Sequence, residues 1–273
     1  MRRRRLSRRG GARHGALVPA LIAALLIVAA FAYGRVSGRM DARSTPAPTA
    51  VTGTVVLDEF SFYAIQFGAF DNDEDARALT QRYVSRGAAG YVLTDTRSRA
   101  IGAAYTSRAD ADKVCANLAA QGVDSYVYEV SAPRVELRVT ASPELVSAME
   151  SARKAMLHAI DALSGMALEL DKGAMTTDAA ISALYAQAEA ADGRRTELER
   201  ALGGRTHAAT SGMMSELSAV SDACLALVQQ NTSSPMAFSA KIKYNVIDLM
   251  QRHVQFMQML IQPEAHSPGK SKG

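Results

Sequence analysis

The stretch YAIQFGAFDNDEDARAL, Tyr63–Leu79, and the stretch AIGAAYTSRADADKV, Ala100–Val114, decide the fold, because they are two copies of one unit. At an offset of 35 residues Phe70 meets Tyr105, Asn72 meets Ser107, Asp75 meets Asp110, Ala76 meets Ala111 and Leu79 meets Val114. The register continues through Tyr83 with Leu118, Gly87 with Gly122, and Tyr91-Val92 with Tyr126-Val127. Nine matched positions in a single register mark an internal repeat.

Each copy reads as strand, helix, strand. Phe62–Phe67 and Arg99–Ala104 are the first strands. Asn72 and Ser107 can cap the helices that follow, and Asp75 and Asp110 put negative charge in their first turns. Gly87 and Gly122 stop those helices, as a left-handed C-terminal position requires. Ala89–Thr94 and Ser125–Val130 are the second strands, with a hairpin around residues 95–98 between the copies. The order βαββαβ predicts a four-stranded antiparallel sheet with both helices on one face. Strand alternation turns Tyr63, Ile65 and Phe67 toward the helices and leaves Ala64 and Gln66 on a bare face.

These two stretches resemble the SPOR domain, over about 70 of 273 residues. In that family an aromatic strand with Gln and Gly runs into a capped helix, and a small-small-aromatic-Thr-Ser segment opens the second half. The resemblance implies a non-catalytic module that binds peptidoglycan glycan strands stripped of their stem peptides, through the helix-free face. It places Gln66, Ala69, Arg97, Arg99 and Ile101 on that face as glycan-binding residues. The sequence departs from the family where Ala103-Ala104-Tyr105 replaces a Gly-Pro-Phe ending, and where Arg97 stands in place of a groove aromatic. An amide such as Gln66 can donate and accept at once, and an Arg can pair a lactyl carboxylate.

Outward from the repeat, the N-terminus carries the protein's basicity. Residues 1–15 hold seven Arg and no acid, and the remainder has 24 basic against 27 acidic residues. The net charge of +4 is therefore a terminal tag rather than a nucleic-acid surface. An RNA-recognition domain shares the βαββαβ order, but it needs paired aromatics on its central strands. Residues 16–33 form an uncharged run that as a helix would span about 27 Å, the thickness of a bilayer core. The charge bias keeps the N-terminus cytoplasmic and sends the body out, which predicts a single-pass membrane anchor. A cleaved signal peptide is the rival reading of the same run. Residues 34–56 read as a linker, with Pro/Thr/Ala-rich composition from Ser44.

Beyond the sheet domain, assigned to residues 57–132, residues 140–262 read as an α-helical bundle. Ser142-Pro143-Glu144 is a strong helix start. Leu145, Met149, Ala152, Met156, Ala159, Leu163, Ala167 and Leu170 form one apolar stripe, and Ile181, Leu184 and Ala188 a second, in a helix from Thr177 toward Asp192. Met213, Leu217, Val220, Cys224 and Leu227 mark a third, and Val246, Met250, His253, Met257 and Leu260 a fourth, begun near Pro235. The bundle is expected to bind a protein partner or self-associate, with Met250, Met257 and Met259 as one possible groove. Residues 263–273 read as a disordered tail.

Cys115 and Cys224 read as small apolar side chains rather than a disulfide or metal pair, and no His spacing suits a metal. No nucleophile–base pair or phosphate loop is present in the sequence, so no cofactor is expected and the chain is not expected to be an enzyme. The fold class expected is thus α+β: a transmembrane helix, a SPOR-type sheet and a helical bundle. The expected role is glycan binding at the cell envelope or septum, in cell division or sporulation. The alternative is an envelope scaffold or signalling protein whose sheet no longer binds glycan.

Overall fold

The structure, a computed structural model, describes residues 50–230, 232 and 234–261. The expected basic tail, membrane span, most of the linker and the C-terminal tail lie outside these residues. Among the described residues no helix is long and apolar enough to cross a membrane.

The repeat folds as its pattern dictates. Strand β2 spans Phe60–Phe70, helix α1 Asp73–Val84, β3 Tyr91–Thr94, β4 Ser98–Tyr105, helix α2 Arg108–Ala120 and β5 Tyr126–Ala132. The sheet order is β3-β4-β2-β5, antiparallel throughout. Both caps form: Asn72 Oδ1 accepts from the Asp75 amide at 2.9 Å, and Ser107 Oγ from the Asp110 amide at 3.3 Å. Gly87 and Gly122 follow the helices at φ +89° and +74°, values an L side chain resists.

Tyr63, Ile65 and Phe67 do face α1 and α2. The Phe67 ring lies 4.4 Å from that of Tyr83 on α1, and Arg108 on α2 sits over the Tyr63 ring. A register shift between Ile65 and Gly68 lets Phe67 turn in across β4, where it lies over Gly102. A Cβ on Gly102 would fall 2.5 Å from the Phe67 ring. Gly102→Ala is therefore expected to cost about 1–3 kcal/mol of stability, read from the urea midpoint. An unchanged midpoint would contradict this packing.

One boundary reading is corrected. The linker was expected to run through residue 56, yet Val51–Leu57 is a strand, β1, paired antiparallel along its whole length with β6, Val135–Ala141. This two-stranded ribbon brackets the sheet domain in sequence, and Val55 and Leu57 are buried. Val146 of the next helix packs against Gly53.

The C-terminal half is the expected bundle of four helices: α3 Pro143–Asp171, α4 Thr177–Leu202, α5 Ala208–Gln229 and α6 Pro235–Ile261. Ser142 Oγ caps α3 and Pro143 opens it. All eight residues of the first stripe are buried, as are the five of the third. Helix α4 runs to Leu202, well past Asp192, and ends at Gly203 in the left-handed conformation. Met250 and Met257 are fully buried while Met259 is exposed, so these three do not line a common groove. Both cysteines are free thiols.

The sheet and the bundle share one core. Phe62, Ala64, Leu93, Ile101 and Ala132 of the sheet join Met156, Ile160, Leu163 and Met250 in a single buried cluster. Each large apolar side chain buried there contributes roughly 1.5–3 kcal/mol, as an upper value.

Candidate functional site

The helix-free face of the sheet is the expected site, and the structure divides it in two. Residues paired across antiparallel strands share a face. Phe60, Phe62, Ala64 and Gln66 alternate along β2 on the side opposite Tyr63 and Ile65. Tyr91, Ile101, Gln66 and Tyr126 are cross-strand partners on it, as are Leu93, Arg99 and Ala69.

Helix α6 crosses one half of this face. Along its length Gln258 Nε2 donates to the Ser131 carbonyl of β5 at 3.4 Å, and the His253 ring stands edge-on to Phe60 of β2 at 4.9 Å. Further along, Asp248 accepts from the Tyr91 hydroxyl of β3 at 3.4 Å, and Tyr244 packs on the same ring at 5.0 Å. Lys243 Nζ then donates to the Gly87 carbonyl and pairs with Asp171 of α3. Burial, then the Asp248 charge, push the Tyr91 phenol well above its ordinary value. The expectation of a wholly bare face is thus corrected: one half is roofed by α6, and the half nearest the β3–β4 turn stays uncovered over β4, β2 and β5, while Leu93 of β3 is buried.

Ile101 falls in the roofed half with no exposed surface, so in this arrangement it cannot touch a ligand. Gln66, Ala69 and Arg99 fall in the uncovered half, each partly exposed. Arg97 lies in the turn, where it pairs with Asp71 at 3.3 Å instead of facing the sheet's centre.

Arg99 organises the uncovered half. Its Nε donates to Asp95 Oδ2 at 3.0 Å and its Nη1 to Gln66 Oε1 at 2.9 Å, while the guanidinium lies 3.9 Å over the Tyr128 ring. The Tyr128 hydroxyl donates to Asp95, closing the circuit. Arg99 is therefore a positioning residue. By taking Gln66 Oε1 it fixes the amide and leaves Nε2 to donate outward. Beside Gln66 across the β2–β5 pair stands Tyr126, 65 % exposed. Such a ring offers an apolar surface with a polar tip.

Burial opposes ionisation of Asp95, yet the Arg99 and Tyr128 hydrogen bonds and the Arg97 amide outweigh it, so its carboxyl is held far below the ordinary range. The hydrogen bond to Asp95 is the main reason the Tyr128 phenol is raised. A depressed carboxylate stabilises the fold above its unfolded pKa, and that contribution is lost as pH falls through the folded value. The Asp95 contribution to stability should accordingly be complete above about pH 4 and fade progressively below it, while the circuit itself opens only as pH falls through the depressed folded value. Tyr128→Phe should shift the Asp95 carboxyl titration upward, as followed by NMR. An unshifted titration would show that the hydroxyl plays no part.

Reading the sequence found Gln66 and Arg99 but not their companions Asp95, Tyr126 and Tyr128. Two-residue alternation along β5 would have put both tyrosines on the face of Gln66. Among the described residues no cluster of His, Cys, Asp and Glu is placed to hold a metal ion.

A four-stranded sheet with two helices on one side and a partly uncovered face of amide, guanidinium and tyrosine on the other defines a βαββαβ module. The family model described as SPOR domain matches residues 60–129, from the first residue of β2 to the middle of β5. Residues 60–129 are thus similar to a SPOR domain, over about a quarter of the chain's length. Comparison with curated proteins and with solved structures found no match.

Proposed function

We propose that this chain is a non-catalytic protein of the bacterial cell envelope that binds denuded peptidoglycan glycan strands during cell division, held at the membrane by residues 16–33. The observation that carries the reading is the Gln66–Arg99–Asp95–Tyr128 circuit on the uncovered sheet half, within the matched domain. Its donors suit the acetamido and hydroxyl oxygens of the sugars, and Tyr126 supplies the aromatic surface that Arg97 does not. The burial of Ile101 and Phe62 beneath α6 favours a second reading, an envelope scaffold in which the sheet serves the bundle.

Sedimentation with purified sacculi separates the two. The compact body from Ala50 onward should co-sediment with amidase-treated walls more than with untreated ones. Gln66→Lys should weaken this about tenfold, or about 1.4 kcal/mol. Equal binding to both wall preparations would favour the scaffold.

A further inference from the structure

We propose that the glycan occupies only the half of the sheet nearest the β3–β4 turn, crossing the strands beside α6, so that the helical region sets how much of the polymer is held. This rests on the glycan reading above, and adds to it where the ligand lies and what bounds it.

Two observations carry it. The first is the path of α6, whose contacts run in order from β5 through β2 to β3 and on to Gly87. The helix therefore crosses the strands and caps one end of the face, as a wall would. The second is the nature of the seam. Phe62, Ala64, Ile101 and Ala132 have no exposed surface, and they belong to the same core as the bundle's own helices. Lifting α6 would bare that core to water, so the cover is a fixed part of the fold and not a gate. What remains is a track over β4, β2 and β5, roughly 10 Å across at ~4.8 Å per strand spacing, because Leu93 of β3 is buried as well. Gln66 and Ala69 lie along it, with Tyr126 at its β5 edge. A ligand here meets groups from β2, β4, β5 and the turn, with α6 closing the side that an unroofed sheet would leave free.

Hydrogen exchange on the whole chain, with soluble amidase-treated glycan fragments as the probe, tests this directly. With fragments at ten times their Kd, amides of residues 66–70, 95–99 and 126–128 should exchange about tenfold more slowly. Amides of residues 60–64 and 238–258 that exchange through local opening should be unchanged, since glycan slows only the globally exchanging ones there. Tyr91→Phe, which removes a contact beneath α6, should leave glycan affinity unaltered, whereas Tyr126→Ala should lower it. Faster exchange in α6 on adding glycan would overturn the proposal, since it would mean that the ligand displaces the helix. Protection of 60–64 against local opening would overturn it equally. No change anywhere, in a protein that also fails to sediment with treated walls, would remove the glycan reading itself and this inference with it.

Discussion

His253→Leu is expected to destabilise the protein by about 3–5 kcal/mol at neutral pH, because it strands a carboxylate in the core. His253 Nδ1 and Glu216 Oε1 lie 2.7 Å apart, and the two side chains are 4 % and 7 % exposed. Burial pushes the Glu216 carboxyl up, and the contact with His253 only partly pulls it back. With leucine at 253 nothing remains to pull. A carboxyl whose folded pKa is raised contributes most below its unfolded value and loses that contribution as pH rises through the folded one. The deficit of the variant should therefore be largest near pH 7 and shrink as pH falls toward the ordinary carboxylate range. Replacing both partners with leucine removes the charge along with its partner, and should restore much of the loss. Urea unfolding of the single and double variants at two pH values reads all of this. A single variant within 0.5 kcal/mol of the parent at pH 7 would show that the pair is not coupled. Because the His253 ring also abuts Phe60, the same variant reports on the junction between bundle and sheet.

What could be read from the sequence follows from the range of the forces involved. The repeat, the caps at Asn72 and Ser107, the stops at Gly87 and Gly122 and the four apolar stripes are local patterns, set by backbone geometry within a few residues, and the structure has them all. The β1–β6 ribbon escaped because its strands pair across the whole sheet domain, Val51 with Ala141, and no local signal announces a partner so distant. Residues 135–141 did alternate, with Val135 and Ala141 buried and Glu136, Arg138 and Thr140 exposed, so half of the ribbon was there to be seen. The site was legible in the same measure. Gln66 stood out as an amide in an apolar strand. The roof over Ile101 was invisible, because which face of α6 meets the sheet is settled by tertiary packing and not by the period of its own stripe. His253 shows this best: its place on the stripe marked it as core, but neither Glu216 nor Phe60 could be named as its neighbours.

Phe62→Ala measures that roof. On an open-faced sheet, Phe62 would point to solvent from the helix-free side, and truncating it would cost little. Here it is wholly buried, among the largest side chains in the core that sheet and bundle share. The substitution is expected to cost about 3–5 kcal/mol, the range for deleting a packed aromatic that leaves a cavity its neighbours cannot fill. It should also lower the unfolding midpoint of both parts together, since one core admits one cooperative transition. Helical circular dichroism follows the bundle, and the fluorescence of the tyrosines, several of them on the sheet, follows the other part. Coincident curves displaced by the same amount are the expected result. A loss below 1 kcal/mol, or helices melting at an unchanged midpoint while the sheet signal moves, would mean that α6 rests on the sheet without being packed into it. In that event the uncovered half would no longer be bounded by a fixed wall, and the whole helix-free face would again be open to glycan.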